Sequence, residues 1–182
     1  MGLGSYSGNI AAVRGGLCGT KYECEAMRYI LTILLALLLS VPFAQDTKVK
    51  FLPKKTFKHF PAKLVNVVTL HKVNVNSTET SRMYRTRIRG DYKKNGLNFA
   101  GHYSFIQWGC GSPCQMSAIV DILTGKVYDG PTAAKGYEFN KDSRMIIVNP
   151  PDKDGYYYAS DYYPAPEIWV WNEAKRKFVQ YQ

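Results

Sequence analysis

One apolar run near the start of the chain, Met27-Arg-Tyr-Ile-Leu-Thr-Ile-Leu-Leu-Ala-Leu-Leu-Leu-Ser-Val-Pro-Phe-Ala44, decides how much of the sequence is left to build a globular core. A basic start, an apolar centre and a small residue ahead of the polar Gln45-Asp46 form the pattern of a secretory signal peptide. The uninterrupted apolar centre falls short of the about 20 residues that a spanning helix needs. Residues 27–44 therefore read as a cleaved signal and not as an anchor, although Pro42 fits the usual small-x-small cleavage site poorly. No cysteine follows the run, which argues against a lipoprotein. Because the pattern opens at Met27, residues 1–26 read as an upstream extension. The folding unit is then 45–182, enough for one domain with its own core.

Export reshapes the charge and cysteine counts. The whole chain carries a formal charge of +10, and residues 45–182 hold 21 Lys and Arg against 12 Asp and Glu. Such an excess favours acidic or anionic proteins and envelope polymers by long-range attraction. It is equally compatible with a basic exported protein that has no anionic ligand, and export weighs against nucleic acid. Cys18 and Cys24 lie upstream of Met27, leaving Cys110 and Cys114. In an oxidising compartment this pair, Cys110-Gly-Ser-Pro-Cys114, is most simply a local disulfide. Closing so short a loop stabilises by about 2 kcal/mol, so its chief effect is on shape.

The pattern from residue 63 onward is β-rich. Residues 45–62 form a basic, proline-punctuated lead-in that reads as an extended arm. Leu64–Val75 is dense in branched residues with no helical stripe, which predicts a strand. Tyr84-Arg-Thr-Arg-Ile-Arg89 alternates, so a strand there sets Arg85, Arg87 and Arg89 on one face at about 7 Å spacing, and Asp91–Gly96 reads as a turn. Further strands are expected over 98–108, 116–122, 126–128 and 144–148, with Thr124-Gly125 as a hairpin turn. A last hairpin pairs 168–171 with 177–181. No helix beyond the signal is expected. The fold class is mainly β: one antiparallel sandwich or rolled sheet of about seven or eight strands.

Three features could carry function. The Arg85, Arg87 and Arg89 ladder suits carboxylates or phosphates, which guanidinium forks grip in bidentate fashion; it also suits a solvated sheet face whose charges protect an edge. The long segment Pro150–Pro166 holds five tyrosines, Tyr156, Tyr157, Tyr158, Tyr162 and Tyr163. It reads either as an interface loop or as a lid over the core. The disulfide loop itself presents Ser112 and Pro113. Metal or thiol chemistry at Cys110, Cys114, Met116 and His102 is disfavoured, since His102 lies about 26 Å from Cys110 along one extended strand. A Cys-x-x-x-Cys copper site resembles that of periplasmic copper chaperones, but their βαβ context is absent. No nucleophile elbow, catalytic-cysteine signature or carboxylate pair is recognisable, and no cofactor or metal is expected.

Residues 99–149 contain Trp108-Gly-Cys-Gly-x-x-Cys-Gln115, Ala118-Ile-Val-Asp121, Thr124-Gly-Lys-Val127 and Glu138-Phe-Asn-Lys-Asp-Ser-Arg144. Together these resemble a group of small exported bacterial proteins of unknown function. The resemblance covers about the central third of the chain and implies a periplasmic or secreted setting and a β fold. In outline the chain is also similar to periplasmic lysozyme inhibitors, which use a short cysteine-bridged loop on a β scaffold. It departs from them in cysteine spacing and in carrying Gly111, Ser112 and Pro113 where their loop carries a histidine. The expectation is an exported, non-catalytic binding protein, an inhibitor or recognition module presenting a disulfide-held loop. An envelope enzyme using His102 and an Asp, or a basic surface-binding structural protein, stand as the alternatives.

Overall fold

Strand β2 (Tyr103–Gly111) and strand β3 (Cys114–Asp121) pair along their length, and away from the hairpin tip, Gln107 apart, they bury side chains on both faces. Tyr103, Phe105 and Ile119 point into one apolar cluster with Ile146, Val148, Trp171 and Phe178. Ile106, Trp108, Ala118 and Val120 point into a second, with Val73, Ile88, Tyr92, Ile122 and Val127. The period of two divides neighbours between the clusters, so the sheet is a middle layer.

The computed structural model describes residues 27, 29–34, 47–66, 69–160 and 163–181. The chain divides into two units, Met1–Gln45 and Asp46–Gln182. In the first, residues 29–34 are helical and exposed, and most of the expected signal segment and all of 1–26 lie outside the described residues. Among the described residues no helix is long and apolar enough to cross a membrane.

The second unit is mainly β, with nine strands in three antiparallel sheets among the described residues. β4 (Val127–Asp129) completes the sheet β2-β3-β4. β5 (Tyr137–Phe139), β6 (Met145–Val148), β8 (Glu167–Asn172) and β9 (Lys177–Tyr181) form a four-stranded sheet in the order β5-β6-β8-β9, packed on the first through the aromatic cluster. β1 (Thr47–Lys50) and β7 (Tyr156–Ala159) make a separate ribbon. The basic lead-in is thus extended at Thr47–Lys50 but paired, and it continues through a 3-10 turn, Phe57–His59, to a bridge between Pro61 and Ser143.

The Thr124-Gly125 turn and the last hairpin are present as expected, the latter pairing Ile168 with Tyr181 through Asn172 with Lys177, and Ser112-Pro113 turns β2 into β3. Gly125 shows why: its φ is +73°, and a Cβ there would collide with the Lys72 carbonyl. Asp121, itself buried, fastens this turn by accepting from the Leu123 N–H at 2.9 Å and the Thr124 hydroxyl at 2.8 Å.

Several expectations are corrected. Residues 84–89 are not a strand: α1 (Glu79–Met83) and α2 (Arg85–Asn95) occupy this region, and the expected turn at Asp91–Gly96 is the helix's last turn and its Gly96 cap. Tyr84, Ile88 and Tyr92 recur every four residues, which lines one helical face. Ile88 and Tyr92 are buried, and the Tyr84 ring lies 5.0 Å from that of Trp108. α1 begins at a capping box in which the Thr78 hydroxyl accepts from the Ser81 N–H and the Ser81 hydroxyl oxygen accepts from the Thr78 N–H, each at 3.0 Å. The expected strand 64–75 is also absent among the described residues. It runs beside the β3–β4 turn, where only an isolated parallel bridge, Asn74 to Lys126, forms. The strand expected from Asn98 starts at Tyr103, because the Asn98 side chain ties back to the Phe105 backbone and closes a turn. The tyrosine segment is in part the paired strand β7.

A strand places Thr86 and Ile88 on one face, whereas α2 exposes the first and buries the second. Ile88→Ala should cost about 2–5 kcal/mol for its cavity, and Thr86→Ala less than about 0.5 kcal/mol either way. Urea denaturation checks this; equal costs at the two positions contradict the helix.

Candidate functional site

Cys110 and Cys114 are joined by a disulfide across the tip of the β2–β3 hairpin, with Cα atoms 5.1 Å apart. Gly111 pairs with Cys114, leaving Ser112 and Pro113 as the exposed two-residue turn, and the register slips at Gly109–Gly111. The bridge therefore holds a slightly irregular hairpin end whose tip projects beyond the buried part of the sheet.

Beside this tip lies an open cleft of about 500 Å³ lined by Gly111, Ser112, Pro113 and Cys114 together with Arg87, Gln107, Trp108, Gln115, Ala134 and Tyr163. Three elements distant in sequence thus meet here. α2 brings Arg87, whose Nε donates to Asp91 Oδ2 at 2.8 Å. The segment before β5 brings Ala134, held because Gln115 and Ala133 exchange backbone hydrogen bonds at 2.7 and 2.8 Å. The buried Asn149 fixes the same segment from behind: its Oδ1 accepts from the Ala134 and Lys135 N–H groups at 2.7 and 3.0 Å. Tyr163 completes the wall, its ring 5.1 Å from the Lys135 ammonium.

Among the described residues the lining contains no carboxylate and is rich in donors. Arg87 keeps guanidinium nitrogens beyond the one that meets Asp91. Trp108 is 4 % exposed, and its indole N–H, buried in the core and not presented to the cleft, has no hydrogen-bond partner among the described residues. Leaving such a donor unpaired costs about 1–3 kcal/mol. The chemistry of the wall matches an occupant that offers acceptors or negative charge and a flat surface for Tyr163 and the hairpin.

The arginine ladder does not survive as a unit. On a helix, residues two apart lie about 200° apart and residues four apart about 40° apart. Arg87 accordingly faces the cleft, while Arg85 and Arg89 belong to the other flank, and Arg89 lines a separate groove with Leu70, Lys72 and Lys93. Of the tyrosines, Tyr163 reaches the cleft. Tyr156 and Tyr157 are half-buried in the β1–β7 ribbon, with Lys48 and Lys50 over the Tyr156 ring at 4.5 and 5.9 Å, and Tyr158 is exposed. Tyr162 lies outside the described residues. His102 packs on Tyr103, ring centroids 4.2 Å apart, and lines no part of this cleft. Tyr103 is instead engaged with Glu173 and Arg176 of the β8–β9 turn at 2.8 Å each. Gln107 and Ala134 were not foreseeable from spacing, since long-range pairing alone brings them here.

Compared with family models, with curated proteins and with solved structures, the chain has no significant match.

Tyr137 supports the cleft from below, donating to the Gln115 and Pro131 carbonyls at 2.8 and 2.6 Å. Burial pushes its phenol from the ordinary 10.0 up to about 12. A folded-state value above the unfolded one means stability that is complete below pH 10 and lost as pH rises towards 12. Denaturant midpoints measured across this range should fall with pH. Tyr137→Phe should lessen the fall, the remainder coming from Tyr103, Tyr92 and Tyr128, whose phenols burial also raises. It should lower stability at pH 7 by about 0.5–1.5 kcal/mol, since one hydroxyl proton is lost while the Gln115 and Pro131 carbonyls keep the Ala133 N–H and the Ser117 hydroxyl. An unchanged pH slope in the variant would assign the titration elsewhere.

Proposed function

We propose that this protein is an exported, non-catalytic binding protein of the periplasm or extracellular space, acting as an inhibitor or recognition module that presents the disulfide-held hairpin to a partner. One observation carries the reading: Arg87, the tip residues Ser112 and Pro113, and Tyr163 come from three separate parts of the chain and line a single cleft. A rigid turn, a guanidinium and a tyrosine ring around a concavity are what recognition of another protein uses, because aromatic and Arg anchors bind at low ordering cost. The Met27–Ala44 pattern and the disulfide support export. Among the described residues of the cleft wall Ser112 has no neighbouring base, and Cys114 has its thiol spent in the disulfide, which favours binding over nucleophilic catalysis. The donor-rich lining favours an acidic face on the partner.

The test is capture by the immobilised, oxidised protein from envelope and extracellular extracts at low and high salt, followed by mass spectrometry. A single protein retained at high salt is expected, since a packed complex survives screening better than a rim of charges. Its affinity should drop at least about tenfold in Arg87→Ala and in Tyr163→Ala, the range of interface anchors, with thermal midpoints unchanged. Retention of the same protein by both variants at wild-type affinity would remove the cleft from the reading.

A further inference from the structure

α2 carries Arg85, Arg89 and Lys93 at intervals of four residues, so their Cα atoms climb one flank of the helix in steps of about 6 Å. All three are exposed, and among the described residues no carboxylate lies within ion-pair distance of any of them. Arg87, on the opposite flank, is the helix's neutralised cation through Asp91. Arg89 and Lys93 also form one wall of a groove of about 300 Å³ whose other wall is Leu70, His71, Lys72 and Val73. The floor is apolar: Val73 and the Tyr92 ring belong to the core, and the Tyr92 hydroxyl is occupied by the His71 carbonyl at 3.0 Å. Leu70 is 37 % exposed in this wall, and Leu123, 44 % exposed, follows Ile122, whose carbonyl accepts from the His71 N–H.

We infer that this face, with Arg85, Arg89, Lys93 and Lys72 as its cations and Leu70 and Leu123 as its apolar contacts, docks the protein on an anionic phospholipid surface. Charge complementarity selects an anion, because Lys72, Arg89 and Lys93 line the groove, Arg85 lies one turn along the same flank, and among the described residues no acid is paired with any of them. The two leucines select a bilayer over a hydrophilic polyanion: a lipid surface offers phosphates to the cations and acyl chains to the leucines at adjoining depths, which is how amphipathic surfaces bind at the interface. The inference is independent of the disulfide cleft, with which it shares a helix but no residue.

The experiment is co-sedimentation of the full chain with sucrose-loaded vesicles of phosphatidylglycerol mixed with phosphatidylcholine, and with vesicles of phosphatidylcholine alone. Taking each variant's ratio of the two partition coefficients relative to that of the wild-type chain cancels what residues 1–44, shared by all of them, contribute. Each basic residue near an anionic surface is worth about fivefold, so Arg85→Gln, Arg89→Gln and Lys93→Gln together should lower the ratio on the order of 100-fold at low salt. A charge-matched variant, Lys153→Gln, Lys175→Gln and Lys177→Gln, should lower it less than about tenfold, since those charges lie elsewhere and are screened. Leu70→Ser with Leu123→Ser should abolish the part of the anionic partition that persists at high salt. Equal losses in the two triple variants would reduce the effect to net charge and overturn the docking face. Unchanged partition in the leucine variant would overturn the bilayer as its occupant in favour of a soluble polyanion. Circular dichroism and urea midpoints confirm that every variant is folded.

Discussion

The packing of β2 and β3 on both of their faces is the constraint from which the rest of the second unit follows. A sheet buried on one side tolerates polar residues at every second position, whereas this one must find an apolar cover for each face. The four-stranded sheet covers the Phe105 and Ile119 side, and α2 covers the Ile106 and Trp108 side. Each fully buried large side chain contributes about 1.5–3 kcal/mol, and β2 alone supplies Tyr103, Phe105, Ile106 and Trp108. The helix is therefore required by the strand: without Ile88 and Tyr92 over it, the second cluster would face water.

That dependence explains what the sequence conceals about residues 84–89. Six residues alternating aromatic, basic, polar, basic, apolar and basic satisfy a period of two. The same residues satisfy 3.6 once Tyr92 is counted with Tyr84 and Ile88. Over so short a window the two periods are degenerate, and the apolar face of β2 that needs covering decides between them. The capping box at Thr78 and Ser81 was the local signal for a helix start. The β3–β4 turn, β6 and the β8–β9 hairpin were legible because Thr124-Gly125, the run at 145–148 and the Trp171 to Phe178 pairing are settled by near neighbours.

The candidate cleft divides in the same way. Its disulfide rim is written in five consecutive residues and needs no tertiary information. Its other walls depend on Asn149 holding Ala134 and Lys135, on the exchange between Gln115 and Ala133, and on a helix that turns Arg87 towards the hairpin. Those contacts span from 14 to 18 positions of chain, or join α2 to β2, and no spacing rule expresses them. Tyr163 was visible as one of five tyrosines, but nothing in a run of tyrosines tells which ring will sit beside Lys135 and which will be absorbed, as Tyr156 is, by a strand.

One helix thus separates two kinds of electrostatics. Arg87 is paired with Asp91, so its field is largely cancelled at a distance and its remaining donors act only on a group that enters the cleft. Arg85, Arg89 and Lys93 are unbalanced, and their field extends for about a Debye length of 8 Å into physiological salt. The first arrangement suits discrimination at contact and the second suits encounter and orientation, which is the usual division between specificity and association rate. A residue spacing of two along a strand would have merged these charges into one stripe. The 100° turn per residue of α2 sets Arg87 about 200° from both Arg85 and Arg89, so contact in the cleft and attraction at the groove are carried by different residues of one helix.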